Sequence, residues 1–256
     1  MSRTIAIVEL ASFAPAGRGA AALAQPTLLA DRYLGGQSLL RWLISRVSQV
    51  ESIDDMALLA EVELHELIRL RLGNEFPLLA YDGRDSLARF DEIARTTGAS
   101  SVVRIIPGHP FVDPDFMRRL VEAARRRSPC DYAGYFVSGG RRSLMSRMGM
   151  IVEWLSGASL AEANRRAVDR DDREDASRFV HSHPDLFQVR LLPLQPPYDY
   201  RDVRLSLAQP EDWEHAQVLF ESLREQGLTW PAIADLVRRN PVIRNRMLQL
   251  NRTERV

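Results

Sequence analysis

The stretch Val102-Val103-Arg104-Ile105-Ile106-Pro107-Gly108-His109-Pro110-Phe111-Val112-Asp113-Pro114-Asp115 decides the fold. Its apolar, β-branched opening predicts a buried strand. Pro107-Gly108 cannot extend a ladder and predicts a tight turn. Asp113 or Asp115 then predicts a helix cap, since a short carboxylate accepts the free amides of a first turn, here over 116–127. The turn after a buried strand is where open α/β sheets place their ligands.

The same alternation extends outward. Strands are predicted at 4–10, 56–60, 77–80 and 101–106, and helices at 38–50, 62–72 and 85–97. Strand-then-helix order predicts a doubly wound, mostly parallel sheet. Its strands lack polar alternation, as expected when both faces are covered. Beyond residue 130 the pattern changes. Strands are predicted at 131–137, 149–154, 187–194 and 203–207, and helices at 159–168, 171–183, 211–226 and 230–239, with a polar tail at 240–256. With neither an internal repeat nor a long linker, one domain is expected over 1–256, its core in about 1–137 and a C-terminal α+β elaboration after it.

The composition sets chemical limits. Thirty-four basic and 34 acidic residues cancel, which argues against nucleic acid as a partner. Every basic residue is arginine, so no lysine is available as a Schiff base or general base. The single cysteine, Cys130, leaves no intrachain disulfide and fits a reducing, cytoplasmic setting. Residues 4–10 are too short to span a membrane, and no membrane insertion is expected.

Several local phrases resemble the cytidylyltransferases of surface polysaccharide synthesis, in particular the spore-coat polysaccharide proteins related to the enzymes that activate Kdo and sialic acid. Those phrases are Leu34-Gly35-Gly36-Gln37-Ser38-Leu39-Leu40, Asp85-Ser86-Leu87-Ala88-Arg89-Phe90, the turn quoted above, Gly149-Met150-Ile151-Val152-Glu153, Arg173-Glu174 and Arg204 to Trp213. The resemblance implies a nucleotide-diphosphosugar transferase-like (GT-A-type) fold. It also implies CTP, CMP or a sugar nucleotide as ligand, transfer of a cytidylyl group to a sugar acid with release of pyrophosphate, magnesium held by carboxylates, and a homodimer.

Against that family the chain departs at the places that carry the chemistry. After the glycine of the turn, where the resemblance implies a metal carboxylate, stands His109; at the second metal position stands Ala208. Ile151 replaces an aspartate, Asp175 follows Arg173-Glu174 where a histidine is expected, and the phosphate lysine has no counterpart in Thr27–Ala30. Imidazole favours zinc, copper, nickel or iron over magnesium. The expectation is a degenerate member that keeps ligand binding at Gly17, Arg18, Gly19, Arg89, Arg104, Gly108, His109 and Glu153, with weak or no transfer. Two alternatives stay open: an active enzyme rewired through Glu211 or Asp212, with magnesium, and a structural or regulatory dimer.

Several of these residues have plainer readings. His109 reads more simply as an inert, hydrogen-bonded turn residue than as a catalytic or metal group. Arg104 reads either as an anion contact or as half of a salt bridge at the sheet end. Gly17-Arg18-Gly19 is a short motif that fits a phosphate cradle or an ordinary loop. His181 and His183 suit the C-terminal end of a helix, and the Arg165–Asp175 run suits a solvated face of local ion pairs.

Overall fold

The computed structural model describes residues 3–10, 32–81, 84–106, 108–126, 128–137, 143–144, 149, 151–194, 202–207, 210–225 and 227–253. Strand β1 (Thr4–Leu10) is followed by a small hairpin, β2 (Tyr33–Leu34) and β3 (Gln37–Ser38), and helix α1 (Leu39–Val47). Then come β4 (Asp55–Ala60), a 3-10 turn at Val62–Leu64, α2 (His65–Leu72), β5 (Leu78–Ala80), α3 (Ser86–Thr97), β6 (Ser101–Ile105) and α4 (Pro114–Ala124). The second half contains β7 (Tyr132–Val137), β8 (Ser143–Leu144), β9 (Glu153–Ser156), α5 (Gly157–Arg166), α6 (Arg170–Glu174), α7 (Arg178–Ser182) and β10 (Val189–Leu194). It ends with α8 (Pro210–Leu223), α9 (Trp230–Arg239) and α10 (Pro241–Thr253).

The main sheet has the order β10-β7-β9-β6-β1-β4-β5, with β8 on β7. Pairings β1·β4, β1·β6, β4·β5 and β7·β10 are parallel, while β9 enters antiparallel between β6 and β7. This is the mostly parallel sheet expected from the strand-helix order. Its strands read as continuous apolar runs because both faces are covered. Ala6, Val8, Leu58 and Val103 pack with α1, α4, α8 and α9 on one side. Ile5, Ile7, Leu59 and Val102 pack with α3 and α5 on the other.

Local chemistry fixes the element ends. Ser38 accepts from the Arg41 amide and starts α1; Asp85 accepts from the Ala88 amide and starts α3. Asp113 accepts from the Asp115 amide at 2.8 Å, with Pro114 as the first helical residue of α4. Its other oxygen takes the Trp230 amide at 2.9 Å, so one buried carboxylate joins the starts of α4 and α9.

Four expectations need correction. The helix expected at 171–183 is two short ones, α6 and α7, because Asp175 is held extended with its side chain turned to Arg104. Residues 203–207 form no strand: Leu207 donates to the Gly108 carbonyl and Asn251 to that of Val203, contacts outside any ladder. The strand expected at 149–154 lies at Glu153–Ser156. The polar tail is mostly a helix, α10, because Ile243 and Met247, four residues apart, are both buried in the core and the Asn240 side chain caps the first turn.

Candidate functional site

Chain topology places the site. β1 is flanked by β6 on one side and by β4 on the other, so connections leave it in both directions. Such a reversal opens a crevice at the carboxyl ends of the strands. Two charged side chains on the next-to-last residues of these buried strands, Glu9 and Arg104, meet there. Arg104 Nε lies 3.2 Å from Glu9 Oε2, and Nη1 lies 3.3 Å from Glu153 Oε2, 2.5 Å from Asp175 Oδ1 and 3.1 Å from Ser177 Oγ. Ser86 donates to Glu9 at 2.9 Å, and Tyr132 donates to Glu153 at 2.8 Å. The cluster thus joins β1, β6, β7, β9, the start of α3 and the α6–α7 link. Arg104, Glu9 and Glu153 are buried, while the Asp175 side chain is 45% exposed. Arg104 lowers the Asp175 pKa to about 2, with help from the Ser177 amide and hydroxyl. Burial and the neighbouring Glu153 push Tyr132 well up, so it remains a donor.

Beyond β6, the segments singled out in the sequence converge through their backbones. Gly108 has φ +76°, and Leu207 donates to its carbonyl at 2.8 Å. Gly149 has φ +75°, and a Cβ there would stand 2.2 Å from the Leu205 carbonyl carbon, so only glycine permits the approach. The turn is braced by Trp42, whose Nε1 donates to Pro110 at 2.9 Å. Arg46 braces it further, with Nε donating to Val112 at 2.5 Å and Nη2 to Leu228 at 2.8 Å.

No family model matches the chain. The spore coat polysaccharide biosynthesis protein SpsF of Bacillus subtilis is 23% identical over 159 residues, which make up 60% of this chain and 62% of that protein, under two thirds of its length. A cytidylyltransferase from Leptospira borgpetersenii superposes with a TM-score of 0.78 at 14% identity, covering 95% of this chain and 97% of that one. CMP:2-keto-3-deoxy-manno-octonic acid synthetase complexed with CTP gives 0.64 at 9% identity, over 86% of this chain and 99% of that one. The chain has the fold of these cytidylyltransferases.

Onto this cytidylyltransferase fold the expected site residues distribute unevenly. Arg104 and Glu153 are brought together, but with each other rather than left open for an anion. Arg89 stands apart on α3, half-exposed and paired with Glu92 at 2.6 Å. Gly17, Arg18, Gly19 and Ala208 lie outside the described residues. Ile151 is a core residue. The carboxylates offered for a rewired site are engaged elsewhere, since Asp212 grips Arg204 and Glu211 lies 2.6 Å from Arg246. Sequence reading missed Glu9, Tyr132, Ser86 and Ser177; a glutamate inside an otherwise apolar strand was the available signal for the first. The Arg165–Asp175 run is only partly a solvated face. Arg165, Arg166 and Arg170 make local pairs on their own helices, whereas Arg173 reaches Asp85 and Asn164, and Asp175 reaches Arg104. His183 Nδ1 donates to the Phe179 carbonyl at 2.8 Å at the end of α7, and its ring stacks on that of Phe179.

His109 is hydrogen-bonded in the turn through its backbone, its carbonyl accepting from the Val112 amide at 3.4 Å. It is 4% exposed and its Nδ1 has no partner among the described residues. Burial, then the charge of Arg104, pushes its pKa down to about 4. An unfolded histidine titrates near 6.5, so between the two values only the unfolded chain takes the proton. Stability therefore falls as pH drops from about 6.5 and the loss is complete below about 4, where it reaches about 3 kcal/mol. H109Q is expected to flatten that component. Urea melts at pH 7 and pH 4.5 check it: the gap between wild type and H109Q must change with pH, and a constant gap contradicts the assignment.

The donors present do not suit magnesium, which takes hard oxygen ligands, usually with one or two carboxylates. Gly108 has no side chain, the His109 imidazole is buried, and Glu9, Glu153 and Asp175 are spent on Arg104. Among the described residues no three His, Cys, Asp or Glu side chains form a metal-holding group.

Proposed function

We propose that this protein binds a cytidine nucleotide or sugar nucleotide at the switch-point crevice and transfers the cytidylyl group weakly or not at all, serving cell-surface polysaccharide or sugar-nucleotide metabolism. The observation that carries this reading is the Leu207–Gly108 hydrogen bond. It joins the two chain segments expected to hold the metal, and neither brings a carboxylate to the junction. Losing metal stabilisation forfeits several kcal/mol, and each ~1.4 kcal/mol is tenfold in rate. The buried imidazole of His109 faces inward, which makes Gly108 the turn position from which a side chain would meet Leu207; a Cβ there would lie 3.6 Å from the Leu207 carbonyl oxygen. Aspartate tolerates the left-handed region better than most residues.

The test is calorimetry with CTP and CMP, together with pyrophosphate release from CTP, magnesium and a panel of sugar acids. Binding without appreciable release is expected. Gly108→Asp combined with Ala208→Asp is expected to gain magnesium binding, and His109→Asp with Ala208→Asp to gain less. Rapid release by the wild type that is lost in Glu211→Ala would overturn the degenerate reading and establish the rewired one.

A further inference from the structure

Among the described residues Arg32 is a guanidinium with no acidic counter-ion, held against an aromatic ring. Its carbon lies 4.5 Å from the centre of the Trp213 ring, in cation–π geometry. It is half-buried, and no carboxylate among the described residues pairs with it. Burial alone accordingly lowers its pKa, with no opposing acid. The contrast is with Arg41, Arg104, Arg173, Arg178, Arg204 and Arg244, each of which has an acidic partner.

Its position is set by packing. The β2–β3 hairpin lies along α8: Gly35 sits directly against the Phe220 ring, while Arg32 meets Trp213 two turns nearer the start of that helix. Helix α8 begins just after 202–207, the segment bonded to the Gly108 turn. Trp42 closes the arrangement, touching Phe220 edge-on and donating to Pro110 in the same turn. Arg32 thus stands at the first turn of α8, the helix that follows the segment bonded to the Gly108 turn. A guanidinium held over a ring remains charged, and its planar fork of N–H groups matches two phosphate oxygens at once.

We propose that Arg32, held on Trp213, is a phosphate-binding residue that receives the polyphosphate of the ligand. The inference rests on the nucleotide reading for the identity of that ligand, but its chemistry requires only a polyphosphate anion. In a chain without lysine, it supplies the fixed positive charge that neither Arg104 nor the Thr27–Ala30 segment offers.

The experiment is titration of the full chain with inorganic tripolyphosphate at low ionic strength, where charge contacts are least screened, with CTP titrated in parallel. R32Q is expected to weaken tripolyphosphate binding about tenfold or more, since a hydrogen-bonded charge is removed. R32K and W213L are expected to fall between, the first keeping charge without the planar fork and the second keeping the fork without its platform. Thermal melts confirm that the variants fold. Equal affinities for wild type and R32Q, or no tripolyphosphate binding by the wild type, overturn the proposal. CTP binding that ignores R32Q also overturns it and leaves the nucleotide reading standing. Arg32-dependent tripolyphosphate binding that CTP does not displace supports the phosphate site and defeats the nucleotide reading instead.

Discussion

Arg104→Met is expected to cost about 3–5 kcal/mol of folding stability, because removing one partner from a buried ion cluster leaves the other charges unpaired. The wild-type cluster sets one guanidinium against three carboxylates. Without the arginine, Glu9 and Glu153 stay buried with only hydroxyl donors, from Ser86, Ser177 and Tyr132. Arg104→Lys restores the charge at one point but cannot reproduce a fork that reaches three acids on different elements, so it is expected to lie between methionine and wild type. The pH dependence gives a sharper signature. In the wild type, the depressed Asp175 pKa contributes stability that is present above about pH 4 and lost as pH falls toward 2. In the methionine variant Asp175 loses the charge that holds its pKa down, so acid no longer removes that contribution. The gap between the two proteins should therefore narrow in urea melts as pH falls from about 4 toward 2. A gap that is small at pH 7, or one that widens in acid, contradicts the cluster's role.

The parts of this architecture legible in the sequence are those governed by local rules. The run Thr4–Leu10 and the stretch Ser101–Asp115 read correctly because apolar β-branched runs, a Pro-Gly turn and an Asp-Pro cap act within a few residues. The C-terminal helix was hidden because its composition is polar and only Ile243 and Met247 turn inward. The break between α6 and α7 was hidden for a different reason. Nothing local stops a helix at Asp175; it is Arg104, 71 residues away, that pulls the side chain out. The candidate site shows the same division. The resemblance, by expecting a metal carboxylate both in the turn and at 208, implied that these two segments lie together; the approach of Gly149 to Leu205 was not legible. The saturation of Arg104 could not be read, because its three partners come from three distant segments. Arg32 escaped notice because an arginine beside a loop becomes informative only when its missing counter-ion is seen.

Asp212→Ala is the other variant expected to lose about 3–5 kcal/mol, for a related physical reason with a more local consequence. Arg204 and Asp212 form a two-point pair, Nε to Oδ1 at 2.6 Å and Nη2 to Oδ2 at 3.0 Å, with both side chains 1% exposed. The alanine variant takes the Asp212 carboxylate from a buried guanidinium that cannot give up its proton. Replacing both by apolar residues of similar volume, Arg204→Met with Asp212→Leu, removes both charges and is expected to recover most of the loss; the cycle of single and double variants isolates the coupling. Denaturant midpoints read it, and strictly additive losses would show the pair to be uncoupled. The pair also tethers 202–207 to the start of α8, with Arg244 holding Asp202 and Asn251 holding Val203 from α10. That segment donates the Leu207 amide to Gly108. Hydrogen exchange at Leu207 should therefore accelerate in Asp212→Ala more than exchange in the β1·β4 ladder does. Equal acceleration at both would mean that the pair stabilises the whole fold without particularly holding the segment that closes one side of the crevice.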